Sequence, residues 1–187
     1  GADFVAEAIE RGAVAILGDD ELALAPQVGA VLVRAANPRQ CLASLAARFY
    51  PRQPANIAAV TGTNGKTSVV YFARQIWQEL GYRSGTIGTL GAQWRGHVQT
   101  LPTTTPEPVS LHRLLDLFAE DDVDYVAIEA SSHGLDQHRL DGLRISACAF
   151  TNLTRDHLDY HGDMESYLAA KAMLFTREGV QLAVINC

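Results

Sequence analysis

The first fifty residues alternate between helically spaced apolar positions and short apolar runs. Residues 3–11 predict a helix with Phe4, Ala8 and Ile9 on one side. AVAIL (13–17) and AVLV (30–33) read as short strands, and RQCLASLAAR (39–48) as a second helix. PRQPAN (51–56), with two prolines in six residues, reads as a linker. From residue 57 the pattern becomes strand–loop–helix. Strands are predicted over 57–61, near 83–90, over 123–130, 145–150 and 180–186, and helices over about 66–80, near 107–120 and near 164–176. Strands apolar on both faces and separated by helices predict an α/β fold with a mostly parallel sheet covered by helices.

Polar residues gather where three of these strands end. IAAV runs into TGTNGKTS, YVAIEA into SSHGLDQHR, and SACAF into TNLTRDHLDYH. The carboxyl ends of strands form the ligand crevice of an open parallel sheet, so the three clusters are expected to converge.

Composition narrows the class further. With 187 residues, 48% hydrophobic and 19% charged, the chain is neither a disordered tail nor a collagen-like repeat. No apolar run nears the ~18 residues of a bilayer span, so no membrane insertion is expected. A net charge of −6 argues against a general nucleic-acid binder. Cys41, Cys148 and Cys187 are scattered, which predicts a reducing compartment with neither disulfide nor zinc framework. The chain opens on Gly1 and stops in LAVINC, so both ends are expected to be cut from something longer. Of 15 basic residues only Lys66 and Lys171 are lysine.

The first cluster, Thr61 to Ser68, joins a buried strand to a helix. Gly62 and Gly65 allow a tight turn that presents N–H groups to an anion, and the helix N-terminus adds partial positive charge. Lys66 would reach the β- and γ-phosphates, and the Thr67 hydroxyl a Mg²⁺ ion. The pattern is the short GxxGKT, since Val60 stands where the longer motif has glycine. A glycine turn capping a helix is the competing reading.

Glu129 closes an apolar strand, where a lone carboxylate is costly unless paired. Beside a phosphate loop its usual partner is Mg²⁺; a salt-bridged strand end is the alternative. His133, Gln137, His138 and Arg139 follow closely and together suit an anionic substrate. In the third cluster, Asp156, His157, Asp159 and His161 contain a histidine pair four apart, although 159–162 reads as a loop and not as a zinc-binding helix. On the helix that follows, Leu168, Leu174 and Phe175 mark the buried side and Lys171 lies among them. Its stem snorkels, or its amine is desolvated and reactive; periodicity leaves the two readings level.

TGTNGKTS, TTTPE, EASSHGLDQHRLDG, FTNLTRDHLDYHGDMESYLAAK and AVIN, in this order, resemble the Mur ligases, and among them the MurE type, the UDP-N-acetylmuramoyl-tripeptide synthetases. The resemblance implies three domains. Residues 1–50 would be the end of the UDP-substrate-binding N-terminal domain and 51–56 the linker. Residues 57–187 would be the first part of a P-loop-type ATPase domain, with the C-terminal domain absent and this piece inactive alone. Gly62, Thr63, Asn64, Gly65, Lys66, Thr67 and Ser68 would then bind ATP. Thr67, Glu129 and His157 would hold two Mg²⁺ ions, together with Lys171 as a CO₂-derived carbamate. Thr104, Thr105, Ser131, Gln137 and Arg139 would hold the UDP-muramyl-dipeptide, with Thr103 standing where the family often has asparagine.

The implied reaction phosphorylates the glutamyl carboxylate and couples it to a diamino acid, meso-2,6-diaminopimelate or L-lysine, in the bacterial cytoplasm. Catalysis would fall to Lys66, Lys171 and His157 in a monomeric enzyme. A non-catalytic nucleotide-binding module and a folylpolyglutamate-type ligase are the competing classes.

Overall fold

The computed structural model describes residues 2–23 and 29–186; Gly1 and Cys187 therefore lie outside the described residues. A short 3₁₀ turn leads into α1 (Val5–Glu10), followed by β1 (Ala15–Gly18), β2 (Val31–Arg34) and α2 (Pro38–Phe49). β1 and β2 pair in parallel as a small separate sheet. Of the apolar side expected on the first helix, Ala8 and Ile9 are half-buried, but Phe4 is not part of it. Phe4 precedes α1 and is 66% exposed, and α1 buries no residue. α2 is better specified: Pro38 fills its first turn and the Asn37 side chain accepts from the Gln40 N–H at 3.1 Å. Its buried Ala43 and Ala46 face the rest of the molecule.

The second unit contains β3 (Asn56–Thr61), α3 (Lys66–Glu79), β4 (Ser84–Gly88), β5 (Gly91–Trp94), β6 (His97–Gln99), α4 (Pro108–Glu120) and β7 (Tyr125–Glu129). It continues through α5 (Ser132–Asp136), β8 (Ile145–Phe150), α6 (Leu158–His161), α7 (Met164–Ala172) and β9 (Leu182–Ile185). Its seven strands run in the order β6-β5-β4-β7-β3-β8-β9. β4, β7, β3, β8 and β9 are parallel, whereas β5 and β6 turn back antiparallel. The parallel core matches the expectation; the hairpin does not follow from pattern. GAQWRGHVQ lacks the alternation of a half-buried strand, and its turns depend on Gly91 and Gly96, both at positive φ.

Two other local readings change. Of the segment 159–162, read as a loop, residues 159–161 belong to the single-turn helix α6 and Gly162 caps it. On α7, Leu168 is 45% exposed, while Tyr167, Ala170 and Lys171 form the buried side together with Leu174 beyond the helix. Lys171 thus lies inside the core and not at its edge.

The main core lies between the sheet and α4, where Leu111, Leu114, Leu115 and Phe118 meet Ile57, Ile87 and Val126. Phe118 is fully buried, with its ring 4.7 Å from Trp94, and Gly85 provides the flat floor beneath it. Phe118→Ala is expected to destabilise the fold by about 3–5 kcal/mol, read as a lower urea midpoint at unchanged slope. The segment before β3 is not loose. Arg52 donates to both Asp116 oxygens (3.1 and 2.7 Å) and pairs with Glu120, which ties it to α4. No helix among the described residues is long and apolar enough to cross a membrane.

Candidate active site

β3 lies between β7 and β8, so the three polar strand ends stand side by side. Gly62 has φ +140 and a Cβ there would collide with the Thr151 hydroxyl, so the close approach of the two loops requires glycine. Gly65, at φ +84, caps α3 with no side-chain hydrogen bond. The start of α3 is therefore capped by backbone alone, an arrangement that leaves N–H groups and the helix dipole for an anion. Asn64 and Ser68 are exposed at this mouth, and Thr63 is buried beneath it.

The third cluster straps this loop down. Asn152 accepts from the N–H of Thr63 (2.9 Å, through its carbonyl) and of Asn64 (3.0 Å, through its side chain). The Thr151 hydroxyl donates to the Asn64 carbonyl at 2.6 Å, and the Thr63 hydroxyl meets the Thr154 N–H (3.0 Å) and the Tyr167 hydroxyl (3.2 Å). The residue-type reading of TNLTR passed over Thr151 and Asn152, because nothing in their spacing shows that they grip another loop.

Both lysines converge here. Lys66 donates to the carbonyls of Gly62 (2.9 Å) and Thr63 (2.8 Å). Lys171, 1% exposed, donates to the same Gly62 carbonyl at 2.8 Å, with its ammonium 4.3 Å above the Tyr167 ring. Among the described residues neither has a carboxylate within ion-pair distance. Burial lowers the Lys66 amine, against the opposing pull of Glu129 and Asp156. Burial, and then the charge of Lys66, lower Lys171 to about 8, with Asp156 opposing. Two lysine amines thus share one carbonyl oxygen and concentrate positive charge at the loop.

Glu129 is 1% exposed and has no salt bridge among the described residues, which removes the paired-strand-end reading. It accepts instead from the Thr67 hydroxyl (2.9 Å), the Thr89 N–H (2.8 Å) and the Thr89 hydroxyl (3.3 Å). A side chain on Gly88 would run into its carboxylate. Glu129 and Thr67 thus offer adjacent oxygen ligands of the hard type that Mg²⁺ takes. Among the described residues no three His, Cys, Asp or Glu side chains gather as a ready cage, so an ion here would complete its shell from water or substrate.

His157 stands near the Tyr167 ring that lies beneath the Lys171 ammonium. It has φ +52, and its ring lies 6.3 Å from Tyr167 and 4.9 Å from His133. His133 also meets Tyr160 (4.1 Å) and His161 (5.6 Å). Burial first, then the neighbouring imidazoles, hold His133 below the ordinary histidine range. Burial likewise lowers His161, whose buried Nε2 has no hydrogen-bond partner among the described residues.

The remaining expected residues line the adjoining wall. The Thr105 hydroxyl donates to the Glu129 carbonyl at 2.7 Å and accepts from the Ser131 N–H (3.0 Å) and hydroxyl (2.9 Å). Ser131 in turn caps α5. Thr104 reaches Thr89 at 3.0 Å, and Thr103 donates to the Thr105 carbonyl at 2.9 Å. Arg139 donates to the Thr105 carbonyl (2.7 Å) and to Gln137 Oε1 (2.6 and 3.1 Å), and pairs with Glu107 at 2.8 Å.

A buried strand, a glycine loop, a lysine-led helix and a carboxylate at the end of the neighbouring strand define a P-loop-type α/β domain. Residues 60–187 match the Mur ligase middle domain, and the chain belongs to the Mur ligase family. It is 54% identical over 176 residues to the UDP-N-acetylmuramoyl-L-alanyl-D-glutamate--2,6-diaminopimelate ligase of Bradyrhizobium diazoefficiens, covering 94% of this chain and 36% of that one. To the ligase of the same name from Rhizobium meliloti it is 49% identical, with the same coverage. A solved structure of a UDP-N-acetylmuramoyl-L-alanyl-D-glutamate--2,6-diaminopimelate ligase superposes with a TM-score of 0.84 at 33% identity, over 99% of this chain and 37% of that one. The chain spans a little over a third of the length of these relatives.

Proposed function

We propose that the chain is the ATP-handling part of a ligase that joins meso-2,6-diaminopimelate to UDP-N-acetylmuramoyl-L-alanyl-D-glutamate. The observation that carries this reading is the convergence of Lys66 and Lys171 on the Gly62 carbonyl, beside the buried Glu129. The names of the relatives at about half identity support the substrates and favour diaminopimelate over L-lysine. On this reading residues 1–50 close the UDP-substrate-binding domain and 57–187 open the ATPase domain. The whole protein works as a monomer in the cytoplasm.

The chemistry follows from the residues. Backbone N–H groups at the start of α3 receive the phosphate chain of ATP, and Lys66 swings from its loop carbonyls to the terminal phosphates. Thr67 and Glu129 would hold Mg²⁺, and His157 with carbamylated Lys171 a second ion. When bound, these ions supply charge neutralisation between phosphate and carboxylate. Arg139, Gln137, Ser131 and Thr103 to Thr105 orient the muramyl-dipeptide so that its glutamyl carboxylate attacks the γ-phosphorus. The bond to ADP breaks and an acyl-phosphate forms. The amine of the diamino acid then adds to the acyl carbon, phosphate leaves with the bonding electrons, and the amine proton is lost to solvent. Charge builds up in both steps, so positioning and fixed charge are the protein's contribution, and no Ser or Cys nucleophile is needed.

The test is phosphate release by the full-length protein that depends on ATP, Mg²⁺ and the UDP-linked dipeptide, with diaminopimelate and L-lysine supplied in turn. Turnover with diaminopimelate is expected; turnover with lysine alone would reassign the amino acid, and none with either would overturn the reading. Glu129→Gln, which keeps the Thr89 contact but loses the charge, is expected to lower kcat by about 10²-fold and raise the Mg²⁺ requirement.

A further inference from the structure

Tyr160 has no part in the reaction as described, yet it stands between two pieces of the site. Its hydroxyl donates to Asp136 Oδ2 at 2.6 Å and accepts from Gln137 Nε2 at 3.1 Å, while its ring lies 4.1 Å from His133. One phenolic hydroxyl thus acts as donor and acceptor at once, which fixes which end of the Gln137 amide faces it. The other end, Oε1, takes two N–H groups of Arg139. The remaining donors of that guanidinium go to the Thr105 carbonyl, the Thr103 hydroxyl (3.4 Å) and Glu107. Arg139 is held by acceptors around its whole fork, and Gln137 is the partner that contacts it twice.

These bonds form one chain from α6, which follows directly on His157, to Arg139. A reversed Gln137 amide would point NH₂ at the guanidinium, donor against donor, and the arginine would have to turn away. We propose that Tyr160 is a positioning residue: through the Gln137 amide it sets the orientation in which Arg139 meets an anionic group of the UDP-linked dipeptide. The proposal rests on the reading of Arg139 as a substrate-binding residue. Glu107, 64% exposed at its side chain, is the partner that the incoming anion displaces most readily. The phenol transfers no proton in this role; it acts by hydrogen-bond direction alone.

Tyr160→Phe removes the hydroxyl and keeps the ring. In the full-length protein it is expected to raise KM for the UDP-linked dipeptide about three- to tenfold, with KM for ATP within about twofold of wild type. The same substitution in a Gln137→Ala background is expected to add nothing, because the relay is already cut. Additive effects of the two, or equal changes in both KM values, would overturn the proposal. Exchange of the Arg139 Nε–H, followed by ¹⁵N NMR without any ligand, keeps the test independent of activity. Tyr160→Phe is expected to speed that exchange severalfold at unchanged Tm, and unchanged exchange would also overturn it. If wild type lacks ligase turnover but this exchange responds, the functional reading fails and the relay stands.

Discussion

Lys171→Ala in the full-length protein is expected to lower ligase turnover by about 10²–10³-fold, with short carboxylic acids such as acetate restoring part of it. The reasoning starts from burial. A 1% exposed ammonium on a carbonyl already shared with a second lysine is an unfavourable cation, and its amine is lowered to about 8. At pH 7 about one such amine in ten is neutral, against roughly one in three thousand for an ordinary lysine. Only the neutral amine adds CO₂, and the resulting carbamate turns the cation into an anion. Restoration of activity by bicarbonate, after CO₂ has been stripped, should therefore rise with pH up to about 8 and level off above it. The sign also appears in stability. The folded amine gives up its proton at about 8 and the unfolded one only near 10.5, so stability linked to this group rises with pH across that window. Activity indifferent to CO₂ and to added carboxylates would remove Lys171 from the metal site.

Lys66→Ala is expected to cost about 10³-fold in turnover, and Lys66→Arg to recover little of it. Lys66 is folded back onto two loop carbonyls, and in the proposed reaction it would leave them to meet the phosphates as a point charge on a flexible stem. A guanidinium is a planar fork and does not reproduce the compact contact of an ammonium with the Gly62 and Thr63 carbonyls. Nucleotide binding, measured by titration with ATP and Mg²⁺, should weaken far less than turnover, because the N–H groups of the loop remain. Equal losses in both would make Lys66 a binding residue and not a stabiliser of the transferring phosphoryl group.

Much of this site could be read before the fold was known, for a physical reason. Lys66, Thr67 and Glu129 lie close to their own strand ends, so their place follows from local sequence once a parallel sheet is inferred. Lys171 was harder. Periodicity put a lysine beside apolar neighbours, but Leu168 is in fact exposed and the buried side runs through Tyr167, Ala170 and Leu174. The Thr151 and Asn152 strap, the Tyr160 relay and the β5–β6 hairpin were out of reach. Each depends on a pairing between residues far apart in the chain or on glycine turns that leave no apolar rhythm. The short α6 was missed because Gly162 directly after it resembles a turn.

The bonds that shape the phosphate loop also bear on how the molecule is made. Thr63 is held by residues 91 and 104 positions later in the chain, and the Gly62 carbonyl by a lysine 109 positions later. Closing spans of that length is slow and comes after local helices and hairpins have formed. The loop that looks most local in sequence is therefore shaped in part by contacts that close late. Its contacts with Tyr167 and Lys171 cannot form until α7 has been synthesised.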